Sequence, residues 1–109
     1  MKKTRRTQSE MDQLLAVFPE LPYDYLRYML TIGWGESRSG HTIYSGPVSP
    51  QDFPQLGAAN NRILIGDDGQ GYFLGYDFAS NQYGEYSSEG RWLAFATNFV
   101  LEEYLNNIR

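Results

Sequence analysis

The chain has 109 residues, thirteen acidic and nine basic, with a formal charge of −4 and no cysteine. A domain of this length buries about two-thirds of the surface its unfolded chain exposes, so it needs no disulfide or metal staple. The missing cysteines exclude thiol catalysis and a disulfide framework, and with His41 as the single histidine they also exclude a structural zinc site.

The chain opens on a cluster of charge. Lys2, Lys3, Arg5 and Arg6 are four of the nine basic residues, so from residue 7 onward five basic residues face thirteen acidic ones, a net of −8. Residues 1–8 read as a flexible basic leader, because like charges cluster there without apolar partners. Residues 9–109 read as one strongly acidic domain. The leader has the charged start of a signal peptide, but Gln8, Glu10, Asp12 and Gln13 interrupt the apolar run that should follow. No stretch approaches the roughly 18 apolar residues of a membrane span. The expectation is a cytoplasmic protein with no membrane partner.

The first helix is predicted from Ser9, with Asp12 three residues on in a capping-box arrangement. Met11, Leu14, Leu15 and Phe18 make its apolar face, and Pro19 ends it. Pro22, at a favoured first helical position, opens a second helix with Tyr25, Leu26, Met29 and Leu30 as its stripe. Gly33 stands where a left-handed C-terminal cap is expected. The segment Gly33 to Gly40 is too rich in glycine and serine for regular structure.

Thr42-Ile43-Tyr44 reads as a short strand. Pro47, Pro50 and Pro54 then force an irregular connection with one helical turn around Gln51-Asp52-Phe53. A meander follows. Arg62-Ile63-Leu64-Ile65 and Tyr72-Phe73-Leu74-Gly75-Tyr76-Asp77 flank the turn Gly66 to Gly71 and predict a hairpin. Gln82 to Tyr86 and Arg91 to Ala94 supply two more strands. A closing helix from Thr97 presents Leu101, Tyr104, Leu105 and Ile108. The expected fold is α+β, an antiparallel sheet of about four strands in a meander, flanked by two N-terminal helices and one C-terminal helix.

Catalytic and cofactor chemistry finds little support in these residues. His41 sits beside Gly40 in a Gly/Ser-rich loop and reads as a solvated histidine, with no Gly-x-Ser-x-Gly elbow anywhere. Asp67-Asp68-Gly69 fails as a calcium loop, because Gly69 would hold the third ligand position. Gly66 to Gly71 lacks the lysine and hydroxyl of a phosphate loop and leads into a strand, not a helix. The thirteen acids make chance carboxylate pairs easy, so a carboxylate-dependent hydrolase is the weakest alternative. Basic residues after the leader are too widely spaced for a nucleic-acid surface, and the acidic body repels phosphate. No metal or cofactor is expected.

Leu21-Pro22-Tyr23-Asp24-Tyr25-Leu26 followed by Thr31-Ile32-Gly33-Trp34-Gly35 resembles the early helix and glycine turn of the SUKH superfamily, the SMI/KNR-type domains. Ile63 to Leu74, with its polar glycine turn, resembles the family's central hairpin. Tyr83-Gly84-Glu85 and Leu93 to Phe99 resemble its last strand and closing helix, although that helix opens here with Asn98-Phe99 where the family often has Ser-Phe. The ordered set spans about residues 9 to 108. The resemblance implies an α+β domain without defining catalytic residues. For bacterial members it implies an immunity protein that binds and neutralises a toxin, often a nuclease; for eukaryotic ones it implies a regulatory adaptor.

Charge agrees with a basic protein partner, since an acidic surface speeds encounter with one and exposed rings anchor it. Trp34, Glu36, Asp67, Asp68 and Glu85 are the candidate partner-binding residues. The bland reading of each is a solvated turn for Asp67 and Asp68 and a core plug for Trp34. The oligomeric state stays open between monomer and weak dimer.

Overall fold

In a computed structural model of the chain, residues 3–53 and 61–107 are described. Seven strands lie side by side in chain order: β1 (Lys3–Thr4), β2 (Trp34–Glu36), β3 (Thr42–Val48), β4 (Arg62–Asp67), β5 (Phe73–Asp77), β6 (Gln82–Tyr86) and β7 (Trp92–Ala94). Every neighbouring pair is antiparallel. The helices are α1 (Gln8–Val17), α2 (Tyr23–Thr31) and α3 (Leu101–Asn106), with a 3-10 turn at Pro50–Asp52 where one helical turn is expected. Among the described residues no helix is long and apolar enough to cross a membrane.

Among the described residues the α+β architecture with three helices follows the expectation, but the sheet has seven strands, not about four. The additions are at its start. Trp34–Glu36 lies between β1 and β3, with Gly35 opposite both Lys3 and Ile43, so part of a segment read as structureless is a strand. Two or three residues are too few to show the alternation that marks a strand in sequence. Their order comes from the neighbours on each side.

Residues 3–7 of the expected flexible leader are held in place. Lys3 Nζ donates to Gly35 O at 2.8 Å and Ser37 Oγ at 3.0 Å, and lies 5.2 Å from the centre of the Tyr28 ring. Burial lowers this ammonium to about 8. The Arg6 backbone N–H donates to Met29 O, its guanidinium reaches Ser45 O at 2.7 and 2.9 Å, and it pairs with Glu10. Gly33, at φ +103°, caps α2 as expected. A Cβ there would lie 2.2 Å from Thr4 O, so only glycine lets β1 pass. Residues 1–2 and 108–109, including the Ile108 assigned to the closing helix, lie outside the described residues.

All three helix starts differ from expectation. The capping box of α1 is Thr7 with Glu10, not Ser9 with Asp12: Thr7 Oγ1 accepts from the Glu10 N–H, and the Glu10 carboxylate accepts from the Thr7 N–H at 2.9 Å. The closing helix begins at Leu101, whose N–H is taken by the Asp24 carboxylate at 3.0 Å. Pro22 is the N-cap of α2, so helical residues begin at Tyr23.

The main core lies between the helices and one face of the sheet. Met11, Tyr25, Tyr28 and Met29 from the first two helices, Leu21 from their connection, and Leu101 and Leu105 from α3 pack against Ile43, Ile63, Ile65, Leu74, Tyr76 and Tyr83. Leu64, Phe73 and Tyr86 form a second cluster on the other face. Their neighbours Tyr44, Val48, Phe53 and Trp92 all come from strands or the 3-10 turn's end, so this face carries no helix among the described residues.

Candidate protein-binding surface

The register of the sheet lines up one row across the helix-free face. Glu36 is opposite Thr42, Thr42 opposite Asp67, Asp67 opposite Phe73, Phe73 opposite Tyr86 and Tyr86 opposite Trp92. Paired residues on adjacent strands share a face, and strands are about 4.8 Å apart. Glu36 and Asp67 therefore stand about 10 Å apart in the same row. Aromatic side chains fill its other half.

Glycines make room for that half. A Cβ on Gly84 would lie 2.4 Å from Trp92 Cζ2, and one on Gly75 3.2 Å from Trp92 Cζ3. The Trp92 indole thus lies directly on the backbone of β5 and β6. Arg62 covers it, with its guanidinium 4.6 Å from the Trp92 ring and 5.6 Å from the Tyr86 ring. Arg62 Nη1 donates to the Tyr86 hydroxyl at 3.1 Å and Nε to Asp77 Oδ2 at 2.9 Å. Burial alone opposes the Asp77 charge, but the Arg62 bond and the Ala79 and Ser80 N–H groups outweigh it and hold the carboxyl below its usual range.

At the β4–β5 turn two carboxylates are fixed by the chain itself. Asp67 Oδ1 accepts from the Gly69 N–H at 3.0 Å, and Oδ2 accepts from the Tyr44 hydroxyl at 2.8 Å. Burial, with Asp67 as acceptor, pushes the Tyr44 phenol up, so it keeps its proton. Asp68 Oδ1 accepts from the Gln70 and Tyr72 N–H groups at 2.8 and 3.1 Å. Beside this turn an open groove of about 530 Å³ is lined by Tyr44, Val48, Phe53, Asp67, Gly69, Gly71 and Phe73.

Of the five candidate residues, the structure brings together Glu36, Asp67 and Asp68. Trp34 packs against the main core, and its buried Nε1 has no hydrogen-bond partner among the described residues. Glu85 is half-buried on β6 between Leu74 and Leu93, a line that includes the core residue Leu74 and so belongs to the helix side. Tyr44, Phe53, Arg62, Phe73, Tyr86 and Trp92 were not singled out from sequence. Gly75 and Gly84, inside strands, were the available signal, since such glycines mark close approach.

His41 is not solvated: it is 1% exposed. Its Nδ1 is 2.7 Å from Ser39 Oγ, and its ring is 5.1 Å from that of Tyr104 on α3. Backbone bonds tie the same turn inward, from Ser37 N to His41 O, Gly40 N to Ser37 O and Ser39 N to Leu105 O. The glycine and serine that suggested a wet loop close a tight turn against α3. Among the described residues no group of three or more His, Asp and Glu side chains is placed to hold a metal ion.

In comparisons with known proteins, no family model, no curated protein and no solved structure matches the chain.

Proposed function

We propose that this chain is an immunity protein: a cytoplasmic binding domain that neutralises a cognate toxin, a nuclease with a basic surface, by occupying that surface without chemistry of its own. The observation that supports this best is the pair of hydrogen-bonded carboxylates, Asp67 and Asp68, at the rim of an apolar groove on the helix-free face. Charges fixed before encounter lose little freedom on binding, and rings beside them supply the area that holds a partner. The SUKH-like order of motifs points to the same role, and the −8 balance beyond the leader favours a cationic partner.

Co-expression is the direct test. The toxin encoded beside this chain should kill cells alone and spare cells that also make this protein; killing at the unprotected rate refutes immunity to that toxin. Replacing Glu36→Gln together with Asp68→Asn should slow association several-fold and flatten its dependence on salt, leaving dissociation nearly unchanged. Unchanged association puts the interface elsewhere.

A further inference from the structure

We propose that the groove beside Asp67 is a seat for one arginine side chain presented by a protein partner, its stem and guanidinium plane on Phe53 and Phe73 and its N–H groups on the Asp67 carboxylate. This deepens the binding reading above and rests on it only for the partner's being a protein.

The lining selects the chemistry. Phe53 and Phe73 meet with ring centroids 4.8 Å apart and planes 48° apart, making an angled apolar wall continued by Val48 and Tyr44. Among the described residues of that lining, Asp67 is the single charged one. An apolar ligand would strip water from the carboxylate without replacing its hydrogen bonds, which is unfavourable. An anion would be repelled. A compact ammonium would satisfy the charge but leave the rings little used, whereas a guanidinium stacks on aromatic faces and forks onto a carboxylate.

The carboxylate is ready for it. Each Asp67 oxygen already accepts one hydrogen bond, from Tyr44 on one side and Gly69 on the other, and an ionised carboxylate accepts about four. Capacity therefore remains on both oxygens, and the orientation is set. The entrance is lined by glycine: a Cβ on Gly69 would meet nothing within 4 Å, and one on Gly71 would meet only Ser88.

The same face performs this chemistry once within the chain. Arg62 lies over Trp92 and Tyr86 and reaches Asp77, a cation seated on rings and closed by a carboxylate. At the groove the rings and carboxylate are present, and none of the ion pairs among the described residues involves Asp67.

The test is an NMR titration of the full chain with N-acetyl-glycyl-arginyl-glycinamide and with the same peptide carrying citrulline, the neutral isostere. The arginine peptide should bind at millimolar concentration and shift the amides of Phe53, Gly69, Gly71 and Phe73, and the citrulline peptide should bind at least about fivefold more weakly. Asp67→Asn should bring the arginine peptide down to the citrulline level, and Phe53→Ala should weaken both peptides. Equal affinity of the two peptides for the unaltered chain overturns the proposal, with no variant needed. So do shifts centred away from the groove, or no saturable shift with either peptide. Since no toxin is present, these outcomes are independent of the co-expression result.

Discussion

Replacing Gly84 by alanine should lift the Trp92 indole off the sheet. The new methyl carbon would start 2.4 Å from Trp92 Cζ2 and 2.7 Å from the Leu93 carbonyl oxygen, far inside contact distance. The carbonyl belongs to the β6–β7 ladder and moves little, so the indole must tilt outward. Arg62 stacks on that indole and so loses its seat. Overpacking of this kind costs about 1–3 kcal/mol, and the lost cation–π contact adds about 0.5–1 kcal/mol. A total of about 1.5–4 kcal/mol follows, which lowers the melting temperature by roughly 6 °C or more. The assay is urea unfolding followed by circular dichroism, with tryptophan emission in a Trp34→Phe background reporting on Trp92 alone wherever Trp92 is kept. A double-mutant cycle with Trp92→Ala isolates the contact, because without the ring only the carbonyl clash remains, and the coupling should be at least about 1 kcal/mol. Full additivity, or a Gly84→Ala cost under about 0.5 kcal/mol with unshifted emission, would show that the indole does not rest on Gly84.

Three further perturbations probe the rest of the fold. Thr7→Ala should cost about 1 kcal/mol in chemical unfolding, with Ser9→Ala near neutral, since Thr7 caps α1; the reverse order would restore the sequence-based start. Asp77→Asn should cost about 2 kcal/mol at pH 7 by weakening the Arg62 pair. The Asp77 carboxyl is held low in the folded state, so its contribution is present above the unfolded value near 4 and is lost as pH falls through the lower folded value. The gap between variant and parent should therefore close in acid; a gap that persists at pH 2 would exclude charge as its source. Lys3 shifts in the same direction, but its window lies at the alkaline end. Its folded value is lowered from 10.5 to about 8, so the unfolded chain binds more protons in between and stability rises with pH across that window. Solvent screening at this half-exposed group keeps the rise below about 1 kcal/mol. Above pH 10 buried Tyr25 and Tyr83, both pushed up by burial, reverse the slope. Lys3→Met should remove the rise and keep the fall, and a rise that survives in the variant refutes the assignment to Lys3.

The parts of the fold legible in the sequence were those whose signal is local. The β4–β5 hairpin announces itself by two apolar runs around Gly66 to Gly71, and both carboxylates of its turn were identified with it. The first helix is capped by Thr7 with Glu10, not by the expected Ser9 with Asp12. Geometry favours the first, because Arg6 is tied to Met29 and Ser45 immediately before it. Strands β1 and β2 had no periodicity to read. Their pairing depends on Gly33 clearing a path for Thr4 and on Lys3 reaching Gly35 and Ser37, contacts about 30 residues apart along the chain. His41 was misplaced for a related reason, since its burial comes from α3, more than sixty residues later. The binding face was half legible: Glu36, Asp67 and Asp68 were chosen for their charge, but the alignment of Glu36 and Asp67 with Phe73, Tyr86 and Trp92 follows only from the register of six strands.

One feature of that face runs against a cationic partner, namely the cation Arg62 on the same surface. Its charge is compensated locally. Asp77 holds Nε, the Tyr86 hydroxyl accepts from Nη1, and the Trp92 ring covers the guanidinium plane. An ion pair so close has little field beyond its own dimensions, and water and salt screen what remains within about 10 Å. The ion pairs among the described residues use Arg6, Arg27 and Arg62 with Glu10, Glu102 and Asp77, and none of them uses Glu36, Asp67 or Asp68. The uncancelled charge of the row is therefore negative and sits at its β2–β4 end, beside the groove. Arg62 serves instead to clamp Trp92 onto Gly75 and Gly84, which keeps the aromatic half rigid. Phe73 and Tyr86 are buried, so the aromatic half is a rigid floor, and the fixed carboxylates and the groove beside it can engage a cationic, partly apolar protein surface with little loss of conformational freedom on binding.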